Sequence, residues 1–495
     1  MRSGSIDNQR FSIAIDMLQR GMTRREYKLS NVKKAEFVFT KMIYFQRTLN
    51  GGNFHREPED VFCDIMHPDG SGSHLTIGRE AYLLLNELAE TGLNYTALSG
   101  RATVEAAQQA LGPILVQRVM IDRRRPTEEL INNAFEEMAH ALKPSLADRT
   151  YFLPCHLTDT PDPDRINIGP VTFLNRTAFR KTMLEGLKEL RGSVKDLTDW
   201  DRKTYAQAAR YYRGFQWIAS ITIKQCDQKS AEGYAHNAVT AALSCLQLML
   251  GADATRDMAV GGNPRQWNRT ADLRLNERGA LDVTLHHTFH GGANFEKGWS
   301  KELEHPGMQL GLKICGIVVE SALPCERRPL SLRMLSAIQW FGEAARERSP
   351  ATRFIKLITA VEHIVLTGEP DVTRQVSRRV AALIYDIGSK ASRQQTEEDF
   401  KRLYNIRSRL IHGGISPWDA SIKRDARAAA TMAELVAHSV LSAWQEVGLY
   451  SLRANPKRMR KWFDHIVWMM VQDTEPVDHV VRWRITMGTN ELIED

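Results

Sequence analysis

Signals that would assign this chain to a membrane, secreted or metal-binding class are missing. No run of about eighteen apolar residues occurs, so no membrane-spanning helix is expected. The start, Met1-Arg-Ser-Gly-Ser-Ile-Asp-Asn, lacks the apolar core of a secretory signal. The six cysteines are scattered, and no pair has the close spacing of a zinc site. These absences predict a cytoplasmic protein with free thiols, no bound metal and no cofactor.

Internal repeats and low-complexity segments are also absent, and the composition is that of an ordinary globular protein. Apolar residues make up 43% and charged residues 25% of the 495 positions. A chain of this length is expected to form about two to four domains. The net charge of +7 permits an acidic partner such as RNA, but it is too mild to require one.

Turn-forming residues and changes of periodicity divide the chain into four regions. We predict an α+β fold, with a mixed α/β N-terminal region at 1–150 and a helix-rich α+β region at 151–330. An all-α helix bundle is expected at 331–450. The extension at 451–495 is expected to hold a basic helix at 457–470 and a strand at 480–486.

Some elements can be predicted with defined bounds. The helices of the bundle are expected at 332–348, 352–366, 373–386, 396–412 and 420–446. Upstream, helices are predicted at 103–119, with a break at Gly112-Pro113, and at 202–223 and 231–250. Strands are predicted at 167–174 and 281–290.

The most informative segment is Arg407-Ser-Arg-Leu-Ile-His412-Gly-Gly, at the end of the fourth of these helices. A guanidinium is permanently charged and forks two donors onto phosphate oxygens. An imidazole can take or give a proton near neutral pH. Together these groups suit the cleavage of a phosphodiester without a metal ion. Five helical steps turn His412 by about 140° from Arg407, and the two glycines would let the last turn unwind into a left-handed cap.

Alternatives remain open for these side chains. Arg409 is closer to His412 in helical angle than Arg407 is, so it is a rival for the phosphate role. His412 could instead do no more than stabilise the negative end of the helix dipole. We expect Arg407 and His412 at a solvent-facing helix end, where substitution changes stability little. Glu362, beside an apolar stripe, is either paired with Arg407 or an unpaired glutamate at the rim.

Residues 403–413, Leu-Tyr-Asn-Ile-Arg-Ser-Arg-Leu-Ile-His-Gly, resemble the signature of the HEPN superfamily, specifically its Apea-like branch. That signature is an arginine, a polar residue, a few variable residues and a histidine. The segments 338–344 and 353–364 resemble earlier helices of the same domain, so the resemblance covers roughly 330–450. Ser408 stands where the family often has asparagine, and serine can still hydrogen-bond a phosphate or orient a side chain.

The resemblance implies a helical bundle that often dimerises and, in many members, a metal-independent endoribonuclease. His412 would be the general base toward the ribose 2′-hydroxyl, and Arg407 would stabilise the pentavalent phosphate, with Ser408 and Glu362 in support. The products would carry 2′,3′-cyclic phosphates. One imidazole is too little for a full acid–base cycle, so we expect a homodimer through the bundle that supplies a second His412 as acid.

The same resemblance indicates a biological role. Several family members defend bacteria against phage, so we expect an antiviral effector whose upstream regions sense a phage-derived trigger. Lys401, Arg402 and Arg409 would bind the RNA. The alternative is a non-catalytic module that binds a nucleotide or RNA, or serves dimerisation, in a regulatory role.

Other clusters are weaker candidates. Basic residues at 374–379 and 453–461 form either solvated helix faces or part of an RNA path. His286 and His290 share one face of the predicted strand but lie about 13 Å apart, which favours a surface role over a metal site. Cys63, His67 and His74 could in principle hold a metal, although a polar loop is the favoured interpretation.

Overall fold

The structure is a computed structural model, and it places the chain in the α+β class that the sequence predicts. It describes residues 30–38, 63–68, 74–190, 198–262, 266–275, 277–290, 292–296, 298–324, 328–368, 370–384, 390–451 and 454–472. The predicted strand at 480–486 lies outside these ranges. None of the described helices combines the length and the apolar character needed to cross a bilayer.

The chain divides into two compact units, and the first comprises residues 1–148 and 225–231. Its elements include β1 (Cys63–Met66), β2 (His74–Ile77), α1 (Arg79–Tyr95), α2 (Val104–Leu115) and α3 (Glu128–Leu142), and residues 31–38 are also helical. The two strands pair in antiparallel fashion. The three helices share a core in which Leu85, Leu111 and Phe135 are almost fully buried.

The predicted break at Gly112-Pro113 is wrong. α2 continues through Pro113 to Leu115, and a π-helical turn follows at Val116–Ile121. A proline inside a helix costs roughly 3 kcal/mol because it removes one hydrogen bond and crowds the preceding turn. Here Leu111 and Leu115 are both buried on either side of Pro113, so continuing the helix keeps both side chains in the core.

The second unit comprises residues 149–224 and 232–495, and it contains a five-stranded sheet with the order β4-β5-β6-β3-β7. The strands are β3 (Ala147–His156), β4 (Arg165–Ile168), β5 (Val171–Asn175), β6 (Trp217–Cys226) and β7 (Ala259–Val260). The helices of this part are α4 (Arg176–Leu190), α5 (Asp199–Tyr212), α6 (Gln228–Leu250), α7 (Ser300–Glu304) and α8 (Pro306–Glu320). A separate two-stranded sheet is formed by β8 (Gln266–Leu275) and β9 (Leu281–His290).

Two predictions in this region need correction. The helix predicted at 202–223 is helical only as far as Tyr212, because β6 begins at Trp217. Buried and more exposed residues alternate from Ala219 to Lys224, which is the period of a strand. The single strand predicted at 167–174 is a hairpin in which β4 and β5 pair on either side of residues 169–170. The strand predicted at 281–290 is confirmed as β9.

All five helices predicted for 331–450 are present, with ends shifted by a few residues. They are α9 (Pro329–Arg346), α10 (Pro350–Val365), α11 (Val372–Ile384), α12 (Lys390–Ile411) and α13 (Ile422–Glu446). The basic helix of the extension is α14 (Pro456–Gln472). α10 packs against α9 and α13, and α11 packs against α12. Phe341, Phe354, Phe400 and Trp444 are almost fully buried. The predicted boundaries at 330 and 450 stay predictions, since both fall inside the second unit.

Cys155, Cys226, Cys245 and Cys315 are buried free thiols, as the scattered spacing predicts. A hydrogen bond with Cys315, together with burial, raises the pKa of Cys245 well above its usual value. The Cys245 thiol is therefore protonated at neutral pH, and all four side chains belong to the core.

α8 crosses the β4–β5 turn so closely that both backbones require glycine. A Cβ on Gly316 would lie 2.7 Å from the backbone nitrogen of Gly169. Gly169 itself has φ +54°, in the left-handed region that glycine favours. Because the clashing atoms are backbone, no side-chain rotation can relieve the contact.

We expect Gly316→Ala to lower the free energy of unfolding by about 1–3 kcal/mol, since an added methyl group forces the backbone apart. Gly233→Ala is the matched control, because Gly233 is also helical and no atom lies within 4 Å of its would-be Cβ. Helix propensity predicts a neutral or slightly stabilising effect there, of up to about 1 kcal/mol. Urea unfolding of both variants measures the difference, and equal midpoints would refute the close-approach argument.

Candidate active site

The end of α12 reverses the chain directly after the candidate histidine. The backbone N–H of His412 donates to the carbonyl of Ser408 at 3.0 Å, so the last turn stays helical up to His412. Gly413 follows with φ +75°, and the N–H of Gly414 donates to the carbonyl of Arg409 at 2.6 Å. This is the left-handed cap that the two glycines predict. His412 is exposed at the point of reversal.

Arg407 does not lie at a solvent-facing helix end, so that expectation is wrong for this residue. Only 26% of its side chain is exposed, and its Nη2 lies 3.1 Å from Oε2 of Glu362 on α10. Glu362 is 13% exposed. α12 packs against α10 along this stretch, which brings residues 45 positions apart in the chain into contact. The sequence left pairing and an unpaired rim position open for Glu362, and the structure shows the pair.

A third side chain completes this group. The hydroxyl of Tyr404 donates to Oε1 of Glu362 at 2.6 Å, so each carboxylate oxygen has its own donor. Burial, with the hydrogen bond to Glu362 as a second cause, raises the pKa of Tyr404 far above its usual range. The phenol therefore remains a donor at every physiological pH. The guanidinium carbon of Arg407 lies 6.0 Å from the centre of the Tyr404 ring.

The arrangement fixes the orientation of Arg407. Oε2 of Glu362 holds Nη2, and Tyr404 occupies the other carboxylate oxygen. The Nε of Arg407 is buried and has no hydrogen-bond partner within the described part of the chain. A guanidinium held in this way can present a charge in a fixed place, although the neighbouring carboxylate offsets part of that charge.

The three cations predicted to bind RNA lie on one face of α12. Lys401, Asn405 and Arg409 are spaced by four residues, so these side chains follow one stripe of the helix. Arg402 follows Lys401 and lines the same cleft. An open cleft of about 310 Å³ lies along this stripe, lined by Glu398, Lys401, Arg402, Asn405, Ile406 and Arg409. The structure therefore brings Lys401, Arg402 and Arg409 together, as a surface beside the helix end.

Arg402 is held in this cleft by a buried partner. Its Nη1 lies 2.8 Å from Oδ1 of Asp425, a residue in the first turn of α13 whose side chain is 2% exposed. Half of the Arg402 side chain remains exposed. Arg402 thus connects α12 to α13, while Lys401 and Arg409 are exposed residues of the same face.

Sequence reasoning missed two ring side chains, an indole and an imidazole, that lie close to the site residues in the sequence. Trp418 is 92% exposed, in the turn that follows the Gly413-Gly414 cap. Its backbone N–H donates to Oγ of Ser416, and the N–H of Asp419 donates to the carbonyl of Ser416 at 3.1 Å. A lone tryptophan in a polar stretch, between a proline and an aspartate, was the available signal.

His363 was the second omission. It follows Glu362 on α10, is half-buried, and stacks on Trp340 with 6.5 Å between ring centres. Burial, with Arg333 as the second cause, lowers the pKa of His363, so its ring is neutral at pH 7. Sequence periodicity places it beside an apolar face and gives no indication of the neighbouring charges.

The weaker candidates are the histidines of β9 and the group of Cys63 and His74 on β1 and β2. His286 lies 2.8 Å from Oδ2 of Asp272, whereas the side chains of His287 and His290 lie outside the described residues. Cys63 pairs with Ile77 and His74 with Met66, so Cys63 and His74 lie at opposite ends of their hairpin. Within the described ranges no group of three or more His, Cys, Asp or Glu side chains could hold a metal ion.

One member of the basic group at 374–379 is not a surface residue. Arg379 is 1% exposed, and its Nη1 donates to the carbonyl of Val365 at 2.7 Å. Its guanidinium also lies over the ring of Phe463, 5.0 Å from the ring centre. Both interpretations that the sequence offered for this group, a solvated face and an RNA path, are therefore wrong for Arg379, whose charge is satisfied in the core.

No protein-family model, no curated protein and no solved structure matches this chain.

Because Arg402 is paired with the buried Asp425, we expect Arg402 to contribute more to stability than its exposed neighbour Lys401. Arg402→Ala leaves a buried carboxylate without its partner, and we expect a loss of about 1–2 kcal/mol in the free energy of unfolding. Lys401→Ala, one residue earlier and exposed, should change it by less than about 0.5 kcal/mol. Urea unfolding of the two variants tests this, and equal losses would show that the ion pair contributes nothing.

Proposed function

We propose that this chain is a metal-independent endoribonuclease of the HEPN type. One observation carries the proposal most directly. The end of α12 supplies an arginine held by Glu362 and, five residues later, an exposed histidine at a glycine cap. A fixed cation and a titratable base at one helix end are two of the three groups that transesterification of RNA requires, the third being a general acid. The resemblance of residues 403–413 to the HEPN signature supports the same assignment.

In the proposed reaction, His412 takes the proton of a ribose 2′-hydroxyl. The 2′-oxygen then bonds to the adjacent phosphorus, and the bond from phosphorus to the 5′-oxygen of the next nucleotide breaks. Arg407 stabilises the charge that develops on the pentavalent phosphate. The leaving 5′-oxygen receives a proton from a second imidazole. The products are a 2′,3′-cyclic phosphate and a 5′-hydroxyl.

The source of that second imidazole is the reason to propose a homodimer of the helix bundle. A two-fold axis places identical surfaces face to face, so that two copies of His412 can flank one phosphate. His363 offers an imidazole within one chain, and it is half-buried beside Glu362. Because burial lowers the pKa of His363 and leaves its ring neutral at pH 7, we favour the exposed His412 of a second copy as the acid.

The RNA strand would follow the exposed face of α12. Lys401, Arg402 and Arg409 would contact phosphates, so binding should weaken as salt concentration rises. Ser408, in the turn between Arg407 and Arg409, would help to orient the phosphate. Trp418 adds a surface on which a base of single-stranded RNA can stack. The biological setting that we propose is a cytoplasmic antiviral effector, restrained until a phage-derived trigger acts on the upstream regions.

One observation favours a second candidate function, a module that does not cleave RNA. The carboxylate of Glu362 already offsets part of the charge of Arg407. A module that binds RNA or a nucleotide without cleaving it, or that serves only dimerisation, would have no need of a free guanidinium. The cleavage assay described next separates the two functions.

We expect the purified protein, incubated with total RNA in the presence of EDTA, to generate 2′,3′-cyclic phosphate ends. His412→Ala should lower the cleavage rate by about 10²–10⁴-fold, the usual effect of removing a positioned acid–base group. His236→Ala is the control, because His236 is exposed on α6. Arg407→Ala should also abolish cleavage, but it leaves Glu362 without its cationic partner, so its unfolding must be measured alongside.

Full activity of His412→Ala, or a strict need for a divalent ion, would refute the assignment. RNA binding by the intact chain without any cleavage would favour the non-catalytic module.

Trp418→Ala should weaken the binding of single-stranded RNA by roughly tenfold, because stacking of one base on an aromatic ring contributes about 1–3 kcal/mol. Trp418→Phe should retain most of the affinity. Trp200→Ala is the matched control, since Trp200 is 73% exposed on α5. Fluorescence anisotropy with a labelled single strand gives the constants. Equal affinity of the two alanine variants would rule out a stacking role for Trp418.

A further inference from the structure

The hairpin of β8 and β9 divides its side chains into two unlike faces. The strands pair in antiparallel register, with Leu275 opposite Leu281, Leu273 opposite Val283 and Ala271 opposite Leu285. Side chains of directly opposed residues lie on the same face of a sheet. These six apolar residues therefore form one continuous surface, which we call the apolar face of the hairpin.

The apolar face is exposed. Its large members expose the following fractions of their surface: Leu273 64%, Leu275 71%, Leu281 62%, Val283 57% and Leu285 67%. The other face is polar and internally paired. There, Asp272 lies 2.8 Å from His286, and Arg274 lies 3.6 Å from Asp282. Asp272, Arg274, Asp282 and His286 thus pair on one side, while the positions of the leucine-rich side between 271 and 285 carry no charge.

Such a face requires a cover. β8 and β9 form a sheet of two strands only, and an isolated two-stranded hairpin is marginally stable in water at best. Monomeric proteins rarely expose an apolar patch larger than a few hundred Å². A hairpin with five large apolar side chains on one face is expected to be ordered only when another apolar surface packs against it.

We propose that the cover is the apolar face of a second copy of this chain. Two such hairpins can stack face to face about 10 Å apart, as in a β-sandwich. The strands of ten residues are roughly 33 Å long. Together the two faces would bury on the order of 1,200 Å², which is the lower bound for stable, specific interfaces.

The chemistry of the face favours a second copy over a different partner. The described residues of this face between 271 and 285 include no charge or hydrogen-bonding side chain that would select an unlike surface. Leucine and valine packed on leucine and valine are self-complementary, which is what a two-fold interface requires. A second copy is also present whenever the chain is, so the face need never be left uncovered. This inference does not depend on the ribonuclease assignment. A dimer formed through the helix bundle would be a separate contact, so the Leu273 variants should lose only the association made by the hairpin.

The test introduces a charged residue at the centre of the apolar face of the hairpin, in the full-length chain. Leu273→Lys and Leu273→Glu each place a charge where the two copies meet, and each should weaken self-association by about tenfold or more. Thr284→Lys is the matched control, because Thr284 is exposed on the polar face of the same hairpin. It should associate like the wild type. Sedimentation over a range of concentrations gives the constants, and thermal unfolding shows that each variant folds.

Mixing makes the test specific for a second copy. An equimolar mixture of the Leu273→Lys and Leu273→Glu chains should recover association, since opposite charges then face each other. Three results would overturn the proposal. These are a wild type that sediments as a monomer at every concentration, variants that associate as the wild type does, and a mixture that fails to recover.

Discussion

The candidate site depends on one carboxylate that is almost withdrawn from water. An isolated ionised carboxylate in such a position is costly, and it is retained only when donors satisfy both oxygens. Arg407 and Tyr404 are those donors, and both come from α12 while Glu362 comes from α10. The contact between the two helices thus has a fixed register at this level. That register orients the guanidinium of Arg407 relative to the end of α12, where the chain turns at Gly413.

The same physical rule explains why cations of similar appearance in the sequence differ in the structure. Arg402 is attached to the buried Asp425, Arg407 to Glu362, and Arg379 to backbone carbonyl and ring partners in the core. Lys401 and Arg409 remain exposed on α12. A nucleic acid that bound this surface as proposed would meet two exposed cations, of which Arg409 donates to the carbonyl of Gly414, and one cation anchored to Asp425. Affinity would come from the exposed charges and the ring of Trp418, and orientation from the anchored groups.

The sequence predicted well wherever a local pattern determines the outcome. The five helices of 331–450 have apolar stripes of period 3.6, and the cap after His412 needs only a pair of glycines. Prediction from the sequence failed where tertiary packing overrides a local signal. Pro113 stays inside a helix because both of its flanks are buried, and residues 217–223 become a strand because they join a sheet. The exposure of Trp418 and of the leucines of β8 and β9 could not be predicted, since exposure depends on which surfaces find a partner. The pairing of Glu362 with Arg407 remained open for the same reason, because it joins residues on two separate helices.

The central claim is that the ion pair of Glu362 and Arg407 fixes the site, and a double-mutant cycle tests it most directly. Glu362→Gln and Arg407→Met keep the approximate size of each side chain and remove one charge each. The free energy of unfolding of the wild type, both single variants and the double variant gives the coupling between the two positions. We predict a favourable coupling of about 1–3 kcal/mol, with the double variant closer to the wild type than the two single losses would suggest. A coupling of zero within error would contradict the account, because Arg407 would then owe its position to something other than Glu362.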